Sequence, residues 1–183
     1  MKVENLKIIG SWRDVKDAAR TTVGLIPGDS DPPSYWKKRM LLAEHSPIRM
    51  LMVSWIWVDL PSWVSVHMVR HKIGIEHFVS TQRTDRTGVN RGELPQGALV
   101  RHKCIANAQA IITISRKRLC GQAAFLTQMA WAEFLISLNK KEPELYEACV
   151  PECFYRGFCP EFKSCGRGGV DFFKESLERY RKV

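Results

Sequence analysis

The residues of this sequence best suited to chemistry fall between His45 and Arg86. An apolar run there leads into a predicted helix, whose end carries Arg70, His71 and Lys72 (the basic triplet). A polar segment with hydroxyl, amide and guanidinium side chains follows. Cations at a helix end, followed by hydrogen-bonding side chains, are typical of a site for an anion. A helix end decorated with basic residues is also common without any ligand, so this reading stays open.

Composition and charge favour one basic, globular domain. The chain has 183 residues, of which 45% are hydrophobic, and a formal net charge of +9. A chain of this length can bury a substantial core. The positive charge predicts an anionic partner, which could be a nucleic acid, a nucleotide or a phosphorylated cofactor, although a basic surface can also serve solubility alone.

The sequence gives no sign of a membrane or an export signal. No stretch approaches the roughly 18 apolar residues of a membrane span. The first residues lack the pattern of a signal peptide, so we expect a cytoplasmic protein that does not interact with membranes. The six cysteines are then expected as thiols or metal ligands and not as disulfides.

Periodicity and turn residues predict a mixture of strands and helices. The predicted strands cover 5–9 and 48–58, the predicted loops 24–34 and 84–99, and the predicted helices 14–20, 35–44, 62–72, 100–119, 122–138 and 171–180. Asp14 is the expected N-cap of the first helix. Helical spacing predicts a core stripe formed by Ala123, Leu126, Ala130 and Phe134, and helical contexts predict buried positions for Cys104 and Cys120.

Four short blocks carry a resemblance to a known family. They are Ala18-Ala19-Arg20-Thr21-Thr22, Glu44-His45, the basic triplet with Ser80 ten residues after Arg70, and Asn107-Ala108-Gln109 with Arg118 eleven residues after Asn107. In type, order and spacing, these blocks resemble those of the flavin-dependent thymidylate synthases, the ThyX family. The resemblance covers roughly residues 10–135.

The resemblance implies a fold and a reaction. The implied fold is α+β: a ThyX-like domain over 1–148, with an antiparallel or mixed central sheet packed with helices, and a cysteine-containing tail over 149–183 within the same unit. The implied enzyme is a flavin-dependent methyltransferase. Methylenetetrahydrofolate would supply the carbon added to C5 of dUMP, and FAD, reduced by NADPH, would supply the hydride. A homotetramer with active sites shared between subunits is also implied.

The resemblance assigns roles residue by residue. FAD would be bound by Thr22, His45, Arg70, His71, Lys72 and Asn107. The nucleotide would be bound by His67, Ser80, Thr81, Gln82, Arg83 and Gln109, with Ser80 and Gln109 as the catalytic positions.

Several of these positions depart from the family pattern. Lys72, Gln82 and Gln109 each stand where the family has arginine, although Arg83 follows directly after Gln82. Arginine offers only donors, whereas glutamine offers a donor and an acceptor. We therefore expect either an altered base pocket, selecting a pyrimidine nucleotide other than dUMP, or a tolerated substitution at Gln109.

A second candidate site lies in the tail. Its four cysteines are Cys149, Cys153, Cys159 and Cys165, in the spacing C-x3-C-x5-C-x5-C. This spacing is looser than that of common zinc sites, but the Pro- and Gly-containing context suits a metal-held loop. A structural zinc ion is one expectation, an iron–sulfur cluster is a weaker one, and four reduced thiols are the alternative.

The sequence also fits two further functions. One is a sibling reaction in the same site, such as hydroxymethylation of a pyrimidine nucleotide. The other is a non-catalytic, metal-held protein that binds nucleic acid, which the charge of +9 and the six tryptophans would suit. A flavin spectrum would separate the enzyme readings from the binding protein.

Overall fold

The computed structural model describes residues 1–182, so Val183, the last residue of the predicted tail, lies outside the described residues. The strands are β1 (Lys2–Ile9), β2 (Met52–Pro61), β3 (Ile75–Val79) and β4 (Leu99–Asn107). The helices are α1 (Trp12–Thr22), α2 (Ser34–Leu42), α3 (Ser62–Met68), α4 (Thr84–Thr87), α5 (Ala108–Arg118), α6 (Phe125–Asn139), α7 (Pro143–Ala148), α8 (Glu152–Arg156) and α9 (Asp171–Arg181). Short 3-10 turns cover Ser46–Met50, Arg91–Glu93 and Arg167–Gly169.

The four strands form one antiparallel sheet in the order β1–β2–β4–β3. Trp55 and Trp57 on β2 point to the same face because side chains alternate along a strand, and both are fully buried. Phe134 of α6 stacks on Trp55 with ring centroids 4.0 Å apart, and Trp57 Nε1 donates to the Ala130 carbonyl at 2.9 Å. The core therefore lies between this face and α6. The predicted α+β class is confirmed, with a wholly antiparallel sheet.

The segment 100–107 is a strand, so the helix predicted over 100–119 is wrong in its first half. Val100, His102, Cys104 and Ala106 are buried, while Arg101 and Lys103 between them are exposed. This alternation has the period of a half-buried strand and is present in the sequence. Only the second half, α5, is helical, and Asn107 begins it by accepting a hydrogen bond from the Ala110 N–H at 2.8 Å.

The helix predicted over 62–72 is shorter than expected. α3 ends at Met68, so the basic triplet lies in the turn that leads to β3 and not on the helix. Gly74 completes this turn with φ +72°, and a Cβ there would lie 2.7 Å from Asn107 Nδ2. Glycine is needed at this position for both conformation and space. The polar segment that follows is partly strand, since β3 covers Ile75–Val79.

Three smaller predictions also need correction. Ser11, not Asp14, is the N-cap of α1, and Asp14 completes a capping box with it. The strand predicted over 48–58 starts later, because Ser46–Met50 forms a 3-10 turn before β2. The buried stripe of α6 is shifted, so that Leu126 is exposed while the inward residues are Thr127, Ala130, Trp131, Phe134, Leu135 and Leu138.

The tail packs back onto the domain. Tyr155 of α8 lies under Arg116 of α5, and Phe154 contacts Phe173 of α9 with ring centroids 5.0 Å apart. The boundary predicted at residue 148 stays a prediction. Within the described range, no helix combines the length and the apolar character that crossing a bilayer requires.

Candidate functional site

The turn that carries the basic triplet meets the last residue of α5. Arg118 Nε donates to His71 Nε2 at 2.8 Å, and its Nη2 donates to the His67 carbonyl at 2.7 Å. Because a guanidinium group only donates, His71 Nε2 must be the unprotonated nitrogen of a neutral ring. His71 and α3 together therefore hold the Arg118 side chain in one orientation.

Arg70 and Arg118 form what we call the arginine pair. Burial lowers the pKa of Arg118, and the positive charge of Arg70 lowers it further. Burial, helped by Arg118, also lowers the pKa of His71 to about 4, so the ring stays neutral at neutral pH. Among residues 1–182, neither arginine is in an ion pair with a carboxylate. Two guanidinium groups whose charges act on each other, without a carboxylate partner, favour binding of an anion.

His67 borders the arginine pair from α3. Its Nδ1 lies 3.0 Å from Thr127 Oγ1, and its ring meets Trp63 edge-on with centroids 5.4 Å apart. Burial lowers the pKa of His67, and both arginines add to this effect. The predicted substrate residue His67 is therefore brought to the same place as Arg70 and His71. Lys72 is exposed two residues further along the turn.

The segment 80–83 continues from β3 and is largely occupied by local hydrogen bonds. The Ser80 hydroxyl accepts from the Arg101 N–H at 3.0 Å, and Thr81 Oγ1 accepts from the Arg83 N–H at 3.1 Å.

The Arg83 guanidinium forms a two-point contact with Asp85 at 3.0 and 2.8 Å. Gln82 Oε1 accepts from the Ser62 hydroxyl at 3.5 Å. The charge of Arg83 is thus already paired at the surface.

Gln109 lies in a second cluster, away from the turn contacts. Its amide nitrogen donates to Glu44, whose carboxylate also pairs with Arg116. The Arg116 guanidinium carbon lies 3.5 Å from the centre of the Tyr155 ring. Gln109 is therefore tied to an internal ion pair, and its predicted role toward a nucleotide base stays a prediction.

Three predicted cofactor residues stand apart from the arginine pair in their contacts. The Thr22 hydroxyl donates to the Ala19 carbonyl at 2.7 Å, His45 is exposed before the 3-10 turn, and Asn107 caps α5. No hydrogen bond, ion pair or ring contact within the described chain joins Thr22 or His45 to the arginine pair. Asn107 is closer to the turn, since its N–H donates to the Gly74 carbonyl at 2.9 Å.

Sequence reasoning did not identify a cluster of three polar residues behind the turn. The side chains of His77, His102 and Cys104 offer ring nitrogens and a sulfur that all lie within 4.8 Å of one another. Burial lowers the pKa of His102 to about 4, with a contribution from His77, and burial raises the pKa of Cys104. The alternation of buried residues along 100–106 could have placed His102 and Cys104 on one face. Arg118 was part of the family resemblance but was not assigned to the site.

The four tail cysteines are not gathered in the same way in residues 1–182. Cys149 is buried, which raises its pKa to about 12, whereas Cys165 is exposed. Cys165 lies beside Gly121, where an added Cβ would be 3.1 Å from the sulfur. The metal site predicted at Cys149, Cys153, Cys159 and Cys165 stays a prediction.

Comparison with known proteins gives a fold but no sequence match. No family model and no curated protein sequence matches the chain. A crystal structure of the flavin-dependent thymidylate synthase ThyX from Helicobacter pylori, complexed with FAD and dUMP, superposes with a TM-score of 0.65 and 12% identity, covering 82% of this chain and 100% of that one. The UMP/dUMP methylase PolB from Streptomyces cacaoi, bound with 5-Br dUMP, gives a TM-score of 0.59 and 14% identity, covering 86% and 96%. The chain therefore has the fold of ThyX and PolB.

Proposed function

We propose that this chain is a flavin-dependent enzyme that transfers a one-carbon unit to C5 of a pyrimidine nucleotide, dUMP or a close relative. The arginine pair is the observation that carries the proposal. The positive charge of Arg70 acts on Arg118, and neither arginine has a carboxylate partner in the described chain, in a fold that ThyX shares while bound to FAD and dUMP. Phosphate groups of a nucleotide or a dinucleotide are the ligands that would neutralise them.

The residues present fit a flavin dinucleotide. Arg70 and Lys72 are exposed cations that are in no ion pair within residues 1–182, and a pyrophosphate requires such donors. We assign FAD to Thr22, His45, Asn107 and the basic triplet. When bound, FAD reduced by NADPH would supply the hydride, and methylenetetrahydrofolate would supply the carbon.

The chain's own residues would bind and orient the nucleotide. His71 and the His67 carbonyl fix Arg118, so its guanidinium can stabilise negative charge with little reorganisation. The Ser80 oxygen accepts from a backbone N–H, which leaves its O–H free to donate to a phosphate oxygen. We assign Ser80 and Thr81 to the phosphate and His67 to the neighbourhood of the nucleotide. No acid–base pair is required of the protein, since its contribution is position and charge.

We further propose a homotetramer in which several subunits complete each site. Thr22 and His45 are exposed, and no hydrogen bond, ion pair or ring contact within residues 1–182 joins either of them to the arginine pair. Ile73 in the turn is 91% exposed, Phe78 on β3 is 59% exposed, and Phe125 at the start of α6 is 71% exposed. Exposed apolar side chains of this size are common at interfaces between subunits. Light scattering would give the mass of the assembly, and a monomer that binds FAD and nucleotide would contradict this part of the proposal.

A sibling reaction is the second candidate, because two glutamines at family arginine positions are held by neighbours. Gln109 donates to Glu44, and Gln82 accepts from Ser62. A base pocket that lacks two arginines would present fewer donors to the uracil carbonyls. A different pyrimidine nucleotide, or a different modification at C5 such as hydroxymethylation, would suit that pocket.

One experiment tests both candidates. The full chain is incubated with FAD, NADPH, methylenetetrahydrofolate and, in parallel, dUMP, UMP or dCMP, and the nucleotide products are identified by mass. We expect a methylated product, while a hydroxymethylated product or a preference for UMP or dCMP would favour the second candidate.

The variant Arg118→Met should lose the product, whereas Arg91→Met, which changes an exposed arginine elsewhere, should retain it. A protein that binds neither flavin nor nucleotide, yet binds RNA or DNA in a salt-sensitive manner, would overturn the proposal.

A further inference from the structure

The strand pairing brings three metal-binding side chains to one point. His77 on β3 is the direct antiparallel partner of Cys104 on β4, and His102 is two residues before Cys104. Residues with these relations lie on the same face of a sheet as nearest neighbours. His77 Nδ1 is 2.9 Å from His102 Nε2 and 3.3 Å from Cys104 Sγ. Three donors of the types that zinc prefers therefore converge.

Hydrogen bonding alone satisfies this cluster poorly. His77 Nε2 lies 2.9 Å from the His71 carbonyl, and because a carbonyl only accepts, that nitrogen must carry the proton. The neutral ring then has one lone pair, on Nδ1. Both His102 Nε2 and Cys104 Sγ contact this same nitrogen: if Nε2 of His102 carries its proton, it competes with the Cys104 thiol for one acceptor, and if it does not, two lone pairs face each other at 2.9 Å. A single cation would instead accept a lone pair from each of the three atoms.

The outer partners of both rings suit metal ligation. His77 Nε2 donates to the His71 carbonyl, and His102 Nδ1 lies 3.1 Å from the Ser65 hydroxyl, which can accept from it. When Ser65 accepts from His102 Nδ1, both rings direct an unprotonated nitrogen, His77 Nδ1 and His102 Nε2, into the cluster. Metal-binding histidines commonly have their second nitrogen held in this way.

We propose that His77, His102 and Cys104 bind a zinc ion, with Cys104 as the thiolate. Tetrahedral bonds of about 2.0–2.1 Å to nitrogen and about 2.3 Å to sulfur place ligand atoms about 3.3–3.6 Å apart. The observed separations of 2.9 and 3.3 Å need to expand by only a few tenths of an ångström. Because His102 and Cys104 are fully buried and His77 is partly exposed on the edge strand, the fourth position lies on the His77 side and takes a water molecule.

The ion would stiffen the turn that carries the basic triplet. His77 holds the His71 carbonyl, and the His71 ring holds Arg118. A ligand bond to His77 therefore limits the movement of both groups. The metal site itself does not depend on the function proposed above, since none of its three ligands is assigned to a nucleotide or a flavin.

Cobalt substitution tests the site directly. The full chain is freed of metal with a chelator under reducing conditions and titrated with Co²⁺. We expect one ion per chain, with a thiolate-to-cobalt absorption band and the strong visible bands of a tetrahedral centre, both removed by Zn²⁺. Cys104→Ala should abolish the thiolate band, and His77→Gln, on the partly exposed edge strand, should weaken binding without unfolding the core. Ser65→Ala should weaken Zn²⁺ binding by roughly tenfold through its effect on His102.

Control variants separate this site from the tail cysteines. Cys149→Ala removes another buried thiol, and Cys153, Cys159 and Cys165 are replaced together by serine; both variants should keep the cobalt spectrum. Zn²⁺ should raise the unfolding temperature of the wild type and of these controls, but not that of Cys104→Ala. Circular dichroism verifies that each variant is folded. The proposal is overturned if the wild type binds no stoichiometric metal, or if the band survives in Cys104→Ala and disappears in either control.

Discussion

Arg116 and Arg118 lie two residues apart on α5, yet their surroundings differ completely. Arg116 pairs with Glu44 and stacks on Tyr155, so both its charge and its planar face have partners inside the chain. Arg118 contacts a neutral imidazole and a carbonyl, and the charge that lowers its pKa is that of another arginine, Arg70. Neighbouring positions two residues apart face different sides of a helix, so one residue type serves two purposes.

The difference teaches how a structural cation can be distinguished from a binding cation. A guanidinium that has a carboxylate partner contributes to the fold, and removal of either partner leaves a partly buried charge unpaired. Where the only polar partners are neutral acceptors, the charge is oriented but not neutralised. An arginine whose charge is oriented but not neutralised lowers the stability of the free protein, and binding of an anionic ligand would restore that stability.

The largest effect should come from disruption of the Arg116 cluster. Glu44→Gln or Arg116→Met should lower the free energy of unfolding by about 3 kcal/mol, because the remaining partner is partly buried. Urea denaturation measures this loss. Lys38→Met, which breaks an exposed pair with Glu147, should cost less than about 1 kcal/mol. If loss of the Lys38–Glu147 pair lowered the free energy of unfolding as much as loss of the Glu44–Arg116 pair, the Arg116 pair would not have the structural role given to it here.

The next effect concerns Arg118 and binding. Arg118→Met should weaken dUMP binding by roughly 10- to 100-fold, or about 1.4–2.8 kcal/mol, since one of two unneutralised cations is lost. Arg118→Lys keeps the charge without the planar fork of the guanidinium, so its affinity for dUMP should lie between those of the wild type and Arg118→Met. Isothermal titration calorimetry gives the affinities. The comparison would fail if Arg116→Met, in a folded sample, weakened dUMP binding more than Arg118→Met.

A smaller effect should appear in the dependence of stability on pH. The pKa of His71 is about 4 in the folded chain, below its ordinary value of 6.5, so the unfolded chain binds more protons between these pH values. Stability from this group is therefore complete above pH 6.5 and decreases as the pH falls toward 4. After allowance for partial exposure, the loss should be about 2 kcal/mol. His71→Gln, which still offers Arg118 an acceptor, should flatten this slope in acid titrations of chelator-treated protein.

The smallest effect is expected at Lys72. Lys72→Arg introduces the arginine of the ThyX pattern that this sequence resembles, and offers a two-point contact to phosphate in place of a point charge. Affinity for FAD should increase by roughly threefold, with stability unchanged because the side chain is exposed. Fluorescence quenching of the flavin measures the change. A decrease in affinity would indicate that Lys72 faces something other than a phosphate.

A mixture of strands and helices and most of the elements could be predicted from local pattern, and the resemblance to ThyX added the α+β class. The apolar run of β2 and the periodic segments of α5, α6 and α9 were recognisable because their patterns are strong. The strand β4 was missed, although His102 and Cys104 alternate with exposed Arg101 and Lys103. The long apolar segment that follows in α5 favoured a helical interpretation of the whole stretch, and the change of period at Asn107 marks the true boundary.

The sequence by itself determined the chemistry available at residues 70–72, the positive charge, and the order of the blocks that resemble ThyX. Tertiary structure decided which of these charges remain without partners. Arg118 meets His71 across 47 positions of the chain, and His77 meets Cys104 across 27, by packing that no local window contains. Spacing along a chain predicts neighbours within one helix or strand, whereas ion pairing and metal ligation depend on distances between elements, which only the folded chain sets.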